Sequence, residues 1–262
     1  MKFLELLNHT SLVAAHRGAR LVAPENTLTA LKESIGRCDF IEIDVQLSRD
    51  AVGVVMHDDT LKRTTDVAKI AAFKDKEPYR VCNFTLEELS MLDYGSWFYR
   101  DDNHKEPLLT LKRALEFIKA NDIFMNVEIK DISDCFEDII VVESIVKEIQ
   151  DSGSRQNILL SSFRHEYMRA FKKRLPDVPT AALVEGRGAF NLLEYLRKLK
   201  VDAYHFDDKS VDEKTVKMLR EAGFFLGVYT VNDPKRAKEL FEMGVNYIFS
   251  DSLDNKLQRY DI

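Results

Sequence analysis

The chain contains little cysteine and no long apolar run. Cys38, Cys82 and Cys135 are odd in number, far apart and without the C-x-x-C spacing of zinc or redox sites. We therefore predict unpaired thiols in a reducing compartment rather than a disulfide framework. No stretch approaches the roughly 20 apolar residues of a transmembrane helix, and the first nine residues lack the features of a signal peptide. These absences predict a cytoplasmic protein without stable membrane insertion.

The sequence also lacks an excess of positive charge. Its formal net charge is −6, and its basic residues are scattered. Nucleic acids and anionic membranes attract surfaces rich in lysine and arginine, so we expect neither as a partner. A small molecule that carries a phosphate remains compatible, because a nearby arginine, lysine or metal ion outweighs a distant average charge.

No internal repeat, low-complexity tract or linker divides the chain. It has 262 residues, of which 45% are hydrophobic. This is enough for one large core and is close to the roughly 250 residues of a (β/α)8 TIM barrel. We therefore predict a single domain over 1–262.

Strand-like and helix-like patterns alternate along the chain. Eight alternations of this kind predict an α/β fold with a parallel barrel. The predicted strands are Ser11–His16, Asp39–Gln46, Ile123–Lys130, Asn157–Phe163, Thr180–Val184, Asp202–Phe206, Phe224–Val231 and Tyr247–Ser250. The predicted helices are Thr27–Ile35, Thr110–Ala120, Cys135–Gln150, His165–Arg174, Ala189–Lys198, Asp212–Glu221 and Pro234–Met243, with a closing turn near Leu253–Arg259.

One segment interrupts this alternation. Residues 58–110 are polar and rich in aromatics, and they include the only tryptophan, Trp97. An insertion of this size after a barrel strand belongs on the catalytic face, where the βα loops gather. We predict a small inserted cap between the second strand and the second helix, with Trp97, Phe98 and Tyr99 in its own core.

Two predicted strands place charges where a barrel interior is expected. Glu42 and Asp44 share one face of their strand, and Glu128 and Lys130 share one face of theirs. Buried carboxylates are costly unless they are paired or bind a metal ion. Three carboxylates supply only oxygen, which favours Mg²⁺ or Ca²⁺ over zinc. We predict one divalent-cation site at Glu42, Asp44 and Glu128.

Two histidines end predicted strands at the same rim. His16 ends the first strand, and His57 follows a short strand that continues from the second. Two imidazoles beside a phosphate suit one proton removal and one proton delivery near neutral pH. Arg17 offers a planar fork for phosphate oxygens, and Lys130 offers a point charge. These residue types predict an enzyme that acts on a phosphate.

Each assignment has a structural alternative. A strand histidine is more often a structural group, and alternating charge is more often a half-exposed sheet face. His205 is interpreted as structural or exposed, although its place near the end of the sixth strand would let it face the site. Glu25 is either an acid behind the site or a favourable charge at a helix start.

Several ordered motifs resemble the glycerophosphodiester phosphodiesterase family. They are His16-Arg17-Gly18, Pro24-Glu25-Asn26-Thr27, Glu42-Ile43-Asp44-Val45, His57-Asp58, Arg63-Thr64-Thr65, Val127-Glu128-Ile129-Lys130, Tyr229-Thr230-Val231-Asn232 and Ser250-Asp251. The set extends almost to the C-terminus, and the order makes it specific. Two departures are Tyr229, where many relatives carry tryptophan, and the Ser250-Asp251-Ser252-Leu253 run.

The resemblance implies hydrolysis of glycerophosphodiesters to an alcohol and sn-glycerol 3-phosphate. It implies that Glu42, Asp44 and Glu128 bind the metal ion, that His16 and His57 form the acid–base pair, and that Arg17 and Lys130 contact the phosphate. In the reaction it implies, a glycerol hydroxyl attacks phosphorus and water then opens a cyclic phosphate. A lysophospholipase D-like specificity and a catalytically silent glycerophosphodiester-binding protein remain alternatives.

Overall fold

The parallel strands close into a barrel in the computed structural model, which describes residues 2–186 and 188–253. Nine strands form one sheet in the described part of the chain, and β1 pairs with β2 to close it. The strands are β1 Leu12–Ala15, β2 Phe40–Leu47, β3 Gly53–Val55, β4 Met125–Ile129, β5 Ile158–Ser162, β6 Thr180–Val184, β7 Ala203–Asp207, β8 Phe225–Tyr229 and β9 Tyr247–Ser250. Only β3 is antiparallel, beside β2. The predicted (β/α)8 TIM barrel is confirmed.

Helices connect the strands and cover the outside of the barrel. They are α1 Phe3–Leu6, α2 Leu28–Glu33, α3 Leu86–Ser90, α4 Ser96–Tyr99, α5 Leu111–Asn121, α6 Asp138–Ser152, α7 His165–Arg174, α8 Leu192–Leu199, α9 Glu213–Glu221 and α10 Pro234–Met243. The closing turn predicted near Leu253–Arg259 lies almost entirely outside the described residues. No helix in the described ranges combines the length and the apolar character needed to cross a bilayer.

Side-chain caps fix where several helices begin. The Thr27 hydroxyl accepts a hydrogen bond from the Ala30 amide at 3.2 Å, so Thr27 caps α2. Asp233 caps α10, whose first residue is Pro234. Both residue types satisfy the free amides of a first helical turn, and proline has none to satisfy.

The barrel interior is apolar at the amino ends of the strands. The short helix α1 closes this end, where Phe3 packs edge-on against Phe40 and Phe124, with ring centroids 5.2 and 5.6 Å apart. Phe40 also contacts the ring of Tyr247. These aromatic side chains fill the interior below the charged residues of β2 and β4, so the site is open only toward the carboxyl ends of the strands.

The segment 58–110 has its own apolar cluster. The buried members of this cluster are Val54, Met56, Leu61, Val67, Phe73, Tyr79, Val81, Phe84, Leu89, Leu92, Tyr94 and Leu108. The prediction that Trp97, Phe98 and Tyr99 form this core is wrong, because all three are only partly buried. The cluster instead consists of Val54 and Met56, at and just after β3, and of apolar residues in the short helical turns and loops of the segment.

The prediction of unpaired cysteines is wrong for two of the three. Cys82 and Cys135 form a disulfide across 53 residues, and Cys38 is free. Spacing in sequence did not indicate the pair, because the fold brings a turn of the insertion next to the loop after β4. The bond ties the segment 58–110 to that loop.

Candidate active site

All seven predicted site residues line one cavity at the carboxyl ends of the strands. The cavity has a volume of about 150 Å³. Its lining includes His16, Arg17, Glu42, Asp44, His57, Glu128 and Lys130. A larger open depression of about 940 Å³ lies beside α8 and α9, and none of the described residues that line it is a predicted site residue. The structure therefore brings the seven predicted site residues together, whereas their chemical roles stay predictions.

The register of β2 against β4 sets the spacing of the acids. Asp44 pairs with Glu128, and two residues earlier on each strand Glu42 pairs with Asn126. Because side chains two apart on a strand share a face, all of these point into the barrel. One oxygen from each of Glu42, Asp44 and Glu128 lies within 4.8 Å of the others. Three carboxylates from two strands thus converge on one point.

Two buried carboxylates and a third that is mostly buried cannot all carry charge at low cost at this spacing. Burial raises the pKa of Glu42 well above its usual value, and repulsion from Asp44 and Glu128 adds to the rise. Burial also raises the pKa of Glu128, again with repulsion from Asp44. Lys130 and Arg17 outweigh burial at Asp44 and hold its pKa low. Arg17 and Lys130 therefore do not supply enough positive charge to stabilise all three carboxylates as anions.

A divalent cation fits this cluster. Among the described residues, Oε1 of Glu42 is buried without a hydrogen-bond donor, while Oε2 accepts from the Arg17 amide at 2.7 Å. A buried acceptor without a partner is costly, and a bound ion would satisfy it. All three donors are hard carboxylate oxygens, the ligand type of Mg²⁺ and Ca²⁺.

Lys130 and Arg17 contact the acids and line the same cavity. The ammonium of Lys130 donates to Glu128 at 2.7 Å and lies 3.4 Å from Asp44. Arg17 donates from Nη1 to Glu25 at 2.9 Å, and its Nε lies 3.3 Å from Asp44. Both cations line the cavity, and their contact with a phosphate stays a prediction.

Each histidine is oriented by a carboxylate. Nδ1 of His16 lies 2.7 Å from Asp251, and Nδ1 of His57 lies 2.7 Å from Asp58. Arg63 is the main cause that holds the pKa of Asp58 at about 2. Burial would raise the pKa of Asp251, but hydrogen bonding and charge from His16 outweigh it and bring the value to about 2. An ionised carboxylate only accepts, so Nδ1 carries the proton in each ring and Nε2 is the other available nitrogen.

The backbone around the histidines is fixed by side-chain contacts. Nε2 of Gln46 donates to the carbonyls of Met56 and Asp58 at 3.0 and 2.8 Å, which holds the turn that carries His57. Gly18 has φ +75°, and a Cβ there would lie 2.9 Å from the Ala30 backbone. Glycine therefore lets the turn after His16 pack closely against α2.

Sequence reasoning missed the carboxylates behind the histidines. Asp58 directly follows His57, but Asp251 is 235 residues from His16 and meets it only because β9 pairs with β1. Asp251 does extend the inward alternation of Tyr247 and Phe249, which is the signal that could have identified it.

His205 and Glu25, for which the sequence left two interpretations each, are both buried. His205 lines the cavity, its Nε2 lies 2.7 Å from the Tyr247 hydroxyl, and burial lowers its pKa to about 3. It is therefore a neutral group of the barrel interior and not an exposed one. Glu25 accepts hydrogen bonds from Arg17, Arg20 and Arg63.

An aromatic wall completes the cavity. Phe163 and Tyr229 lie edge to face with centroids 6.0 Å apart, and both line the cavity with Leu183 and Thr230. The Tyr229 hydroxyl donates to the Val184 carbonyl at 2.7 Å. This side of the cavity is apolar, in contrast to the side that carries the acids.

Comparison with known proteins gives a consistent family. Residues 16–255 match the sequence model of the glycerophosphoryl diester phosphodiesterase family. A glycerophosphodiester phosphodiesterase of Caldanaerobacter subterraneus subsp. tengcongensis is 31% identical over 245 residues, which cover 92% of this chain and 94% of the relative. The glycerophosphodiester phosphodiesterase of Bacillus subtilis is 28% identical over 257 residues, covering 93% and 84%.

Solved structures agree in fold. An Oleispira antarctica phosphodiesterase in complex with the product sn-glycerol-3-phosphate superposes with a TM-score of 0.80 at 28% identity, covering 92% of this chain and 93% of that one. The glycerophosphodiester phosphodiesterase of Thermotoga maritima, at 22% identity, has a TM-score of 0.70 and coverage of 94% and 96%, which shows the shared fold. The chain belongs to the glycerophosphoryl diester phosphodiesterase family.

Proposed function

We propose that this family member hydrolyses glycerophosphodiesters to an alcohol and sn-glycerol 3-phosphate. The observation that carries the proposal is the pair His16 and His57, each held at Nδ1 by a carboxylate and both lining the cavity that contains the three-carboxylate cluster. The Oleispira antarctica relative in complex with sn-glycerol-3-phosphate supports this product.

We propose that Glu42, Asp44 and Glu128 hold one divalent cation, Mg²⁺ or Ca²⁺. Their oxygens are close enough for shared ligation, and the unpartnered Oε1 of Glu42 supports a bound ion. When bound, such an ion would supply positive charge that stabilises an anionic phosphate and acidifies a neighbouring hydroxyl.

In the proposed first step, one histidine accepts the proton of a glycerol hydroxyl while that oxygen bonds to phosphorus. The bond from phosphorus to the leaving alcohol breaks, and the other histidine donates a proton to the departing oxygen. A cyclic phosphate results. Since the first histidine is then protonated and the second is not, the roles are reversed for the next step.

In the second step, the newly neutral histidine accepts a proton from water. The water oxygen bonds to phosphorus, the ring P–O bond that formed in the first step breaks, and the protonated histidine returns a proton to that glycerol oxygen. Arg17 and Lys130, both at the cavity, would stabilise the charge that develops on the phosphate oxygens in both steps. Both histidines end in their starting states.

We propose that the segment 58–110 acts as a cap within one barrel domain. It contributes Asp58 and Arg63 behind His57, and its apolar cluster gives it a core of its own. A cap that carries these groups would exclude water from one side of the cavity.

A second candidate is lysophospholipase D-like hydrolysis of an amphiphilic substrate. Large apolar side chains are exposed on loops after barrel strands, namely Leu21 and Val22 after β1 and Phe163 after β5. Of these three, Phe163 lines the cavity, and an exposed apolar side chain there would suit an acyl chain.

Release of the head-group alcohol from a panel of glycerophosphodiesters and one lysophospholipid, with Mg²⁺, Ca²⁺ or chelator, tests these proposals. The second product is sn-glycerol 3-phosphate from a glycerophosphodiester and an acylated glycerol 3-phosphate from the lysophospholipid. We expect metal-dependent turnover of glycerophosphodiesters. Faster turnover of the lysophospholipid would favour the second candidate. Binding without metal-dependent turnover would contradict hydrolysis and favour a catalytically silent binding protein.

A further inference from the structure

We propose that Glu25 is a positioning residue that ties His16 and His57 into one rigid frame. The inference rests on the proposed function, because it concerns how the two proposed acid–base groups are held. Glu25 itself does not line the cavity with the seven predicted residues, so its action on the reaction passes through other side chains.

The first arm of the frame runs from His16. Nδ1 of His16 meets Oδ1 of Asp251 at 2.7 Å, and the same oxygen lies 3.3 Å from Nη1 of Arg20. Nη2 of Arg20 then donates to Oε2 of Glu25 at 2.7 Å. Asn232 donates to the other oxygen of Asp251 at 3.0 Å, which limits rotation of that carboxylate.

The second arm runs from His57 and is built in the same way. Nδ1 of His57 meets Oδ1 of Asp58 at 2.7 Å, and Arg63 donates to both oxygens of Asp58 at 2.6 and 2.8 Å. Arg63 also donates to both oxygens of Glu25, at 2.7 and 3.1 Å. A guanidinium can form two such forks because it is planar and carries five N–H donors.

The two arms meet at one buried carboxylate. The Glu25 side chain is 4% exposed and also receives Nη1 of Arg17 at 2.9 Å. Burial raises the pKa of Glu25, but Arg63, Arg17 and Arg20 outweigh it and hold the pKa below its usual range. Glu25 is therefore an anion on which three guanidinium groups converge.

The charges of the frame are balanced. Its carboxylates are Glu25, Asp58 and Asp251, and its guanidinium groups are those of Arg17, Arg20 and Arg63. Removing the charge of the buried Glu25 leaves the guanidinium groups that converge on it without their shared partner, so they move or admit water. A change at Glu25 would therefore shift both imidazoles, although it lies one arginine and one aspartate away from each.

The test is steady-state kinetics of Glu25→Gln with a glycerophosphodiester, measured below the melting transition of each variant. The substitution keeps the size of the side chain and removes the charge that holds three guanidinium groups. We expect kcat to fall about 10–100-fold, as for other groups that orient a catalytic residue. We expect KM to change by less than about threefold, because Arg17, the proposed phosphate contact that Glu25 also holds, keeps its ion pair with Asp44.

Arg63→Lys and Arg20→Lys test the arms separately. Lysine keeps the charge but cannot form both forks, so we expect a lower kcat in each variant. If Glu25→Gln does not fold, these two variants still test whether the frame positions the histidines. Glu148→Gln is the control, because Glu148 accepts from the Gly53 amide at 2.7 Å outside the frame, and we expect its kcat to be unchanged.

A kcat within about twofold of wild type in Glu25→Gln, or in both lysine variants, would overturn the inference. A rise of KM alone would also overturn it, because it would assign Glu25 to substrate binding. Failure of the wild-type protein to release sn-glycerol 3-phosphate would contradict the proposed function instead, which separates the two failures.

Discussion

The two halves of the barrel interior share the same strands but differ in chemistry. The apolar half, at the amino ends of the strands, contains Phe3, Phe40, Phe124 and Tyr247, which pack edge to face. The charged half, at the carboxyl ends, contains Glu42, Asp44, Glu128 and Lys130. On β2 the change from one to the other takes only two residues, from Phe40 to Glu42.

This contrast separates stability from function along a single strand. Burial of aromatic surface favours folding, whereas the crowded acids of the charged half oppose it, as the raised pKa values of Glu42 and Glu128 indicate. Proteins commonly accept such a cost where a site requires it. Substitutions in the two halves should therefore have opposite consequences.

The largest expected effect is on turnover. His16→Ala and His57→Ala each remove a proposed proton-transfer group, so we expect kcat to fall about 10²–10⁴-fold with the melting temperature nearly unchanged. His104→Ala is the control, because His104 is exposed and contacts Asp101. Near-normal turnover in either variant would remove that histidine from the mechanism.

The next effect is on stability in the apolar half. Phe40 is 1% exposed and contacts the rings of Phe3, Tyr247 and Phe249. Phe40→Ala should lower the free energy of unfolding by about 3–5 kcal/mol, because it removes apolar surface and leaves a cavity. Urea unfolding measures this change. The kcat of the folded fraction of Phe40→Ala should stay close to that of the wild type. A clear fall in this kcat would contradict the separation between the halves.

A third effect is on metal affinity. Glu128→Gln replaces a charged ligand by a neutral one, and we expect the dissociation constant for Mg²⁺ or Ca²⁺ to rise about 10–100-fold. Calorimetric titration of both ions against this variant and against Glu148→Gln measures the change. An unchanged titration would reject Glu128 as a ligand.

The smallest expected effect, on the stability of the charged half, tests the contrast between the two halves most closely. Glu42→Gln should raise the melting temperature of the metal-free protein, with a gain of about 0.5–2 kcal/mol, because glutamine requires neither a buried charge beside two others nor the uptake of a proton on folding. The raised pKa means that folded Glu42 keeps its proton where the unfolded chain, near 4.5, has lost it. Stability of the wild type therefore falls as pH rises above this value, and the variant should fall less.

Thermal melts of the metal-free wild type and the Glu42 variant, measured across pH, test this sign. A lower melting temperature for the variant at neutral pH would show that the charged half supports folding even without an ion. The contrast between the halves would then be wrong.

The barrel could be predicted because eight strand-like patterns alternate with helical patterns, and helices begin at recognisable caps such as Thr27 and Asp233. The period-two alternation within two of these strands predicted that Glu42, Asp44 and Glu128 share the interior. The contacts that could not be predicted join segments that are far apart in the sequence. The contact of Asp251 with His16 requires closure of the barrel, and the disulfide between Cys82 and Cys135 requires the path of the insertion.

Glu25 illustrates the limit most clearly. At a helix start an acid has a local explanation, the positive end of the helix. Only the folded chain brings Arg63 to it, 38 residues away in sequence. Local patterns therefore identify residues that face the cavity, whereas the groups that orient them become visible only in three dimensions.

The most direct test is a crystal structure of the protein with Mn²⁺, located by its anomalous signal, and sn-glycerol 3-phosphate. We expect one ion ligated by Glu42, Asp44 and Glu128, with the phosphate between His16 and His57. An ion bound elsewhere, or a phosphate beyond hydrogen-bond reach of either imidazole, would contradict the account.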